Sequence, residues 1–139
     1  MNLLGLLIQE EGLRLKPYRC TAGRLTLGIG RNLDDKGISR DEAEYLCRND
    51  IRDAEDVAIK TFGGSEWAQW PEPRRAAIAS MIFQLGEGGF KGFRATIQCL
   101  KEHRWDDAAA NMLRSKWHEQ TPARARRAAS MIQTGEWPT

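Results

Sequence analysis

The sequence predicts an α+β fold that is mostly helical, with a small β-containing lobe near the N-terminus and a larger helical lobe behind it. Residues 17–31 carry a strand pattern punctuated by Pro and Gly. A long helical pattern follows at residues 39–59, and every segment from residue 74 onward has helical spacing. With 139 residues, 41% hydrophobic and 29% charged, the chain suits one compact domain.

The first element is a short amphipathic helix that ends at an acidic residue. Leu3, Leu4, Leu7 and Ile8 recur at helical spacing, and the apolar run stops at two glutamates. Gly12 then supplies a typical C-terminal stop. The sequence therefore predicts a helix over residues 1–11.

A small antiparallel sheet of two or three short strands is predicted next. Residues 25, 27 and 29 are apolar and alternate with Thr26 and Gly28, which is the period of a strand. Residues 21–23, Thr-Ala-Gly, have the composition of the turn that precedes this strand.

The joining helix has a clear start signal. Ser39 and Glu42 form a capping box, in which the serine caps the backbone and the glutamate reaches back to it. A helix is expected to run from there to about residue 59. Its apolar side is predicted to consist of Ala43, Leu46, Cys47, Ile51, Ala54 and Val57.

The rest of the chain is predicted to be helical between breaks at residues 62–65 and 70–73. Residues 76–85 are apolar nearly all round, which indicates a central buried helix ended by the glycines at 86, 88 and 89. Residues 93–100 and 105–117 each have an amphipathic pattern. Pro122 opens a last helix at its first turn.

The resulting organisation is a single domain, 1–139, built from two lobes. Residues 12–38 form the small β lobe, residues 39–59 the connecting helix, and residues 60–139 together with the helix 1–11 the helical lobe. A cleft between the lobes is the expected place for a substrate.

Composition narrows the possible functions only moderately. The net charge of +2, with a pI near 8.5, is too weak to argue for nucleic acid. The three cysteines are widely spaced and indicate neither a disulfide framework nor a zinc site. Cys47 and Cys99 are expected to be small buried hydrophobes.

The N-terminus has no basic region, so neither a signal peptide nor a membrane anchor is expected. The protein should therefore stay in the cytoplasm unless something releases it.

A carboxylic acid, a thiol and a hydroxyl in the first 26 residues are the main candidates for chemistry. Glu11 could lie half-buried beside the sheet with a raised pKa that suits a general acid, or it could be a surface carboxylate paired with Arg14. Cys20 lies between Arg19 and Thr21 on a turn-rich segment, where nearby arginines could lower its pKa. Thr26 faces a cleft if its neighbouring leucines face the core, and is otherwise an ordinary strand threonine.

Two other groups of residues have a simple structural interpretation. The arginines at 124, 126 and 127 could bind phosphate, although such a run is usually a solvated helix face. The five tryptophans, Trp67, Trp70, Trp105, Trp117 and Trp137, are core or cleft-edge candidates.

The trio and its surroundings resemble the phage-type lysozymes, the T-even-like endolysins of glycoside hydrolase family 24. The resemblance covers nearly the whole chain, from Glu11-Gly-Leu-Arg-Leu-Lys-x-Tyr18 and Thr26-Leu-Gly-Ile-Gly30 through Phe83-Gln84-Leu-Gly86-Glu87 to Gln120-Thr-Pro-x-Arg124 and Thr134-Gly-x-Trp137. It implies a lysozyme-like fold and a bacteriolytic muramidase (EC 3.2.1.17). Such an enzyme hydrolyses the β-1,4 bond between N-acetylmuramic acid and N-acetylglucosamine in peptidoglycan.

The resemblance also assigns roles to residues of this chain. The family's general acid falls on Glu11, its water-activating position, often Asp, on Cys20, and its threonine on Thr26. Matches to positions that contact the glycan are Gly30, Phe83, Gln84, Gln120 and Thr121, while Arg124 matches an arginine that approaches the catalytic glutamate. No cofactor or metal is implied. Arg31 replaces a family histidine and is expected to pair with Asp50.

The role of Cys20 stays open at this point. An ordinary thiol with a pKa of about 8.5 is only a few per cent thiolate at neutral pH. Cys20 therefore acts with a lowered pKa, positions the water, or attacks the sugar covalently.

Two alternative functions are a lytic transglycosylase that uses Glu11 alone and a non-catalytic peptidoglycan-binding module. The expected partners are peptidoglycan and, for release from the host cytoplasm and lysis of the host cell, a holin. The protein is expected to be a monomer without nucleic acid or stable membrane association.

Overall fold

In a computed structural model, residues 1–138 are described, and the chain divides into two compact units. The N-terminal unit is Met1–Leu46 and the C-terminal unit begins at Cys47. The predicted mostly helical α+β fold with a small antiparallel sheet is confirmed.

The N-terminal unit opens with the predicted short helix. Helix α1 (Leu3–Glu11) begins where the Asn2 side chain accepts the Gly5 N–H at 2.8 Å. It ends at Gly12, whose φ of 80° is a left-handed conformation that glycine adopts without strain. The predicted helix and its glycine stop are both confirmed.

A three-stranded antiparallel sheet follows, in the order β1 (Arg14–Arg19), β2 (Leu25–Gly28) and β3 (Arg31–Asn32). Residues 21–23 connect β1 to β2, as predicted. The Cys20 N–H donates to the Arg24 carbonyl at 3.0 Å, and Gly23 has a φ of 77°. A three-residue hairpin loop commonly ends on such a left-handed residue, for which glycine is favoured.

Helix α2 (Arg40–Phe62) starts at the predicted capping box and extends past the predicted end near residue 59. The Glu42 N–H donates to the Ser39 hydroxyl at 3.2 Å, and the Ser39 N–H donates to the Glu42 carboxylate at 2.9 Å. The buried residues of the helix are Ala54, Ala58 and Phe62. Its predicted apolar side is wrong in the first half, where Leu46, Cys47 and Ile51 are exposed.

The C-terminal unit continues with helices α3 (Gly64–Gln69), α4 (Glu72–Lys91), α5 (Arg94–Lys101), α6 (Trp105–Leu113), α7 (Lys116–Gln120) and α8 (Pro122–Thr134). Helix α3 occupies part of a predicted break. Gly86 interrupts α4 with a φ of 75°, but the chain resumes helical geometry up to Lys91 instead of ending. The single helix predicted over residues 105–117 is two, because Ser115 accepts the His118 N–H and starts α7.

The core of the C-terminal unit combines aromatic and aliphatic side chains. Phe62, Trp67 and Trp70 are buried together, with ring centroids 4.8 to 6.2 Å apart. Ile78 and Met81 of α4 are also buried, so the central buried helix predicted over residues 76–85 is confirmed. Cys99 is buried as expected.

An ion pair ties β3 to the start of α2. Two Arg31 nitrogens, Nη1 and Nη2, each lie 2.7 Å from a Glu42 carboxylate oxygen. The predicted pairing with Asp50 is wrong. The Arg31 hydrogen bonds and the Ser39 backbone N–H lower the pKa of Glu42 to about 2. The capping-box glutamate thus also holds the guanidinium of Arg31.

We expect this carboxylate to make the stability of the chain depend on acid. Because the pKa of Glu42 is depressed in the folded state, its contribution is present above its ordinary value of 4.5 and is lost as pH falls towards 2. In urea unfolding followed by circular dichroism, Glu42→Gln should lower the free energy of unfolding at neutral pH and converge with wild type in acid. Glu44→Gln is the control, since Glu44 makes only an exposed 3.8 Å pair with Arg40. A difference for Glu42→Gln that is independent of pH would contradict the expectation.

Candidate functional site

The hairpin that carries Cys20 is closed by main-chain hydrogen bonds on both sides of the cysteine. The Cys20 N–H donates to the Arg24 carbonyl at 3.0 Å, and the Gly23 N–H donates to the Cys20 carbonyl at 2.8 Å. Cys20 is half-buried at the end of the hairpin. These two bonds fix the path of the loop that follows the cysteine.

The same loop lowers the pKa of Cys20. The main cause is a hydrogen bond from the Arg24 backbone N–H, followed by one from the Ala22 backbone N–H, while burial acts in the opposite direction. The Thr26 hydroxyl adds a smaller contribution. Its single hydrogen is donated to the Arg24 carbonyl at 2.8 Å, so the backbone groups are the main donors to the thiolate. Of the roles left open by the sequence, those that use a thiolate gain support from this geometry.

Thr26 is buried, with 4% of its surface exposed, whereas Leu25 and Leu27 are half-buried. The sequence left open whether Thr26 faces a cleft or is an ordinary strand threonine, and in the structure Thr26 is the most buried of the three residues. Within β2, the threonine is on the inner side and its hydroxyl lies beside Cys20. A buried hydroxyl with a fixed acceptor has a defined orientation.

Glu11 lies at the end of α1 and contacts the backbone of Gly30. A Cβ atom on Gly30 would lie 2.9 Å from Glu11 Oε2 and 3.1 Å from its Cδ, and Gly30 has a φ of 69°. Glu11 is exposed, which agrees with the surface carboxylate, one of the two environments that the sequence left open for it. Because Gly30 has no side chain, the Glu11 carboxylate can lie close to the backbone at this position.

In the C-terminal unit, Trp117 connects two of the predicted substrate-binding residues. Its indole N–H donates to Gln84 Oε1 at 2.9 Å, and the Thr121 hydroxyl donates to the Trp117 carbonyl at 3.1 Å. Trp117 is buried and packs edge-to-face on Phe93, with centroids 6.1 Å apart. The amide oxygen of Gln84 is therefore occupied, and its NH₂ group keeps its donors for another partner.

The remaining predicted binding residues lie on the same unit with different exposures. Phe83 and Gln120 are exposed, and Arg124 is half-buried. Arg124 Nη2 donates to the Ser80 carbonyl at 3.0 Å and to the Ser80 hydroxyl at 2.9 Å. Arg124, on α8, is thus bonded to α4, while the Phe83 side chain is partly open to solvent.

Sequence reasoning missed two residues that organise the candidate site. The sequence indicates Trp117 only as a core or cleft-edge tryptophan. A buried indole N–H needs an acceptor, and that was the signal that a polar partner such as Gln84 lay nearby. Asp34 lies between β3 and α2, and its carboxylate accepts the Leu25 N–H at 2.7 Å. An Asp in a loop often bonds a neighbouring main-chain N–H, but its partner nine residues away could not be read from the sequence.

The chain matches known proteins along most of its length. The sequence profile of the family described as "Phage lysozyme" matches residues 8–130. "Probable T4-type lysozyme 2" of Dictyostelium discoideum is 28% identical, over 96% of this chain and 95% of that protein. "Peptidoglycan hydrolase gp36" of Pseudomonas phage phiKMV is 44% identical, over 86% of this chain and 14% of that protein. The "Endolysin" of Acyrthosiphon pisum secondary endosymbiont phage 1 is 36% identical, over 63% of this chain and 59% of that protein.

All of the predicted site residues fall within the matched range. The range also includes the sheet, the long helix α2 and most of α8, so the match extends over both units. The resemblance inferred from the motifs is confirmed. The chain belongs to the phage lysozyme family.

Proposed function

We propose that the protein is a muramidase that hydrolyses the β-1,4 bond between N-acetylmuramic acid and N-acetylglucosamine in peptidoglycan. Membership of the phage lysozyme family and similarity to a peptidoglycan hydrolase and an endolysin support a peptidoglycan-cleaving hydrolase. The observation that carries the finer proposal is half-buried Cys20 in a hairpin closed by main-chain hydrogen bonds, close in sequence to buried Thr26, with a pKa that the Arg24 and Ala22 backbone N–H groups lower. Such a group can activate or position water at neutral pH.

In the proposed reaction, Glu11 and Cys20 have opposite tasks. Protonated Glu11 donates its proton to the glycosidic oxygen as the bond to the sugar breaks. The Cys20 thiolate, with Thr26, orients a water molecule and takes a proton from it as its oxygen bonds to the anomeric carbon. The products are two glycan ends, one of them a reducing sugar. Transfer of the proton from the thiol to solvent and reprotonation of Glu11 restore the starting state.

Residues of the C-terminal unit are proposed to bind the glycan. The free NH₂ group of Gln84 can donate to a carbonyl oxygen of the substrate, and the exposed ring of Phe83 can pack on a sugar face. Gln120, Thr121 and Arg124 are proposed to add polar contacts. The hydrogen bond from Trp117 to the Gln84 oxygen fixes the orientation of the amide, including its NH₂ group. This supports a binding role for Gln84, because a preorganised donor loses less entropy on binding.

Product analysis separates the proposal from its alternatives. Purified peptidoglycan is digested with the protein, and the released muropeptides are identified by mass spectrometry. Reducing muramic acid ends are expected, and they should be absent from a digest with Glu11→Gln. Anhydro ends would make the protein a lytic transglycosylase. Absence of any release by the wild type would leave a peptidoglycan-binding module.

Replacing Gly30 by Ala is expected to lower kcat with a smaller effect on KM. The new Cβ would lie 2.9 Å from Glu11 Oε2, and the φ of 69° is strained for any L side chain. The carboxylate must therefore move, and a displacement of about 1 Å can cost roughly a hundredfold in rate. Gly28→Ala is the matched control, since Gly28 also has a positive φ but no atom within 4 Å of its added Cβ. Equal losses in the two variants would point to backbone strain alone.

The partners of the protein in the cell remain part of the proposal. Similarity to an endolysin supports peptidoglycan as the substrate. Release to the cell wall through a holin is proposed in addition. No helix among residues 1–138 is long and apolar enough to cross a membrane. Dependence on a holin and a monomeric state stay predictions.

A further inference from the structure

One carboxylate oxygen joins the two strands of the Cys20 hairpin. Asp34 Oδ2 accepts the Leu25 backbone N–H at 2.7 Å and lies 3.4 Å from Arg19 Nη1. Arg19 and Leu25 are directly paired across β1 and β2. Asp34 therefore contacts both members of the strand pair that frames the loop.

This strand pair immediately adjoins the two residues proposed to handle water. Cys20 follows Arg19 in the chain, and Thr26 follows Leu25. The Leu25 carbonyl accepts the Leu33 N–H at 2.8 Å, so both main-chain groups of Leu25 are bonded to residues 33 and 34. At this edge of the sheet, the Asp34 carboxylate accepts the Leu25 N–H as a main-chain carbonyl of a neighbouring strand would. A shift of Leu25 would move Thr26 and the Arg24 N–H together.

We propose that Asp34 is a positioning residue for the reaction, acting through the Leu25 N–H on the geometry of Cys20 and Thr26. The inference rests on the proposed function for its catalytic consequence, but the geometric part stands independently. The Leu25 bond is short and charge-assisted, which makes it stronger than a neutral hydrogen bond. The pair with Arg19 contributes little, because that side chain is 67% exposed.

The neighbouring aspartate provides a matched control. Asp35 Oδ2 lies 3.4 Å from Arg24 Nε and accepts from the Asn32 amide at 2.9 Å. It carries the same charge in the same loop, but its carboxylate binds side chains and not the strand backbone. Removing it tests the loss of a loop carboxylate without the loss of the Leu25 bond.

The kinetic test compares three variants on purified peptidoglycan. Asp34→Ala should lower kcat roughly tenfold to a hundredfold, with KM nearly unchanged, because it disturbs the position of the water-handling groups and not the glycan contacts. Asp34→Asn should recover most of this loss, since its amide oxygen can still accept the Leu25 N–H. Asp35→Ala should stay within about twofold of wild type.

A second readout does not require activity. The rate of alkylation is measured for each cysteine by peptide mass spectrometry, with exposed Cys47 as the internal reference. Removing the negative charge of Asp34 favours the Cys20 thiolate in both variants. Loss of the Leu25 bond displaces the backbone N–H groups that stabilise this thiolate, and this second effect is expected only in Asp34→Ala. Cys20 should therefore react several-fold more slowly in Asp34→Ala than in Asp34→Asn.

The two readouts together decide the inference. Equal Cys20 reactivity in the two Asp34 variants would overturn it, as would a loss of kcat that Asp34→Asn does not restore. An inactive wild type would instead refute the proposed hydrolysis. In that case the alkylation rates would still decide whether Asp34 organises the hairpin.

Discussion

Replacing Glu11 by Gln is expected to lower kcat/KM on peptidoglycan roughly a thousandfold, because proton donation to a leaving group contributes on the order of 10²–10⁴ in rate. The amide has the shape of the carboxylic acid, so it can occupy the same space against Gly30, where the contact is close. It has no acidic proton to give to the glycosidic oxygen. The fold should be preserved, since Glu11 is an exposed residue at the end of α1.

The adjacent glutamate supplies the control. Glu10→Gln removes the same charge from the same helical turn and from an exposed residue. Its rate should remain within about twofold of wild type. Initial rates are measured by the appearance of reducing ends, and circular dichroism checks the fold of both variants. Comparable losses in the two variants would show that charge at the end of α1, and not a proton from Glu11, governs the rate.

Local signals predicted most of the fold. The stop at Gly12, the turn at residues 21–23 and the Ser39–Glu42 capping box all depend on residues within four positions of each other. The same limit explains the errors. The predicted helix over residues 105–117 is broken where Ser115 begins a new helix, and the sequence between the two helices contains neither Gly nor Pro.

The candidate site was predicted only at the level of residue identity. The residue types singled out Glu11, Cys20 and Thr26, and the family resemblance assigned their roles. The contacts between side chains and distant backbone groups could not be predicted from the sequence. The indole of Trp117 donates to Gln84, which is 33 residues away. Thr26 is buried although it alternates with leucines, because in the folded unit its side of β2 is the inner one. Such relations depend on tertiary packing, which a local pattern does not encode.

The backbone donors around Cys20 bear on how a thiol could serve at the position to which the resemblance assigns water activation. Backbone N–H groups of Arg24 and Ala22 lower the pKa of the thiol, so more thiolate is present at neutral pH than for an ordinary cysteine. These donors belong to the loop and not to the side chain at position 20. They can therefore stabilise a carboxylate as well as a thiolate.

We expect Cys20→Ala to lower kcat/KM roughly a hundredfold and Cys20→Asp to keep most of the activity, because only the second variant can still accept a proton from water. Cys20→Ser is the discriminating control. It keeps a polar group that can position water but does not ionise in the working pH range. If Cys20 acts as the base, the serine variant should resemble Cys20→Ala. If it acts only by positioning water, the serine variant should resemble wild type.

The pH dependence gives the sharper test of the same idea. A thiolate base makes kcat/KM rise with pH through the pKa of Cys20, which lies below its ordinary value. In Cys20→Asp this rising limb should move to lower pH by several units, because an ordinary aspartate has a pKa of about 3.9 and an ordinary thiol about 8.5. Full activity in Cys20→Ala, or a rising limb that does not move in Cys20→Asp, would exclude Cys20 as the base and leave water activation to another group.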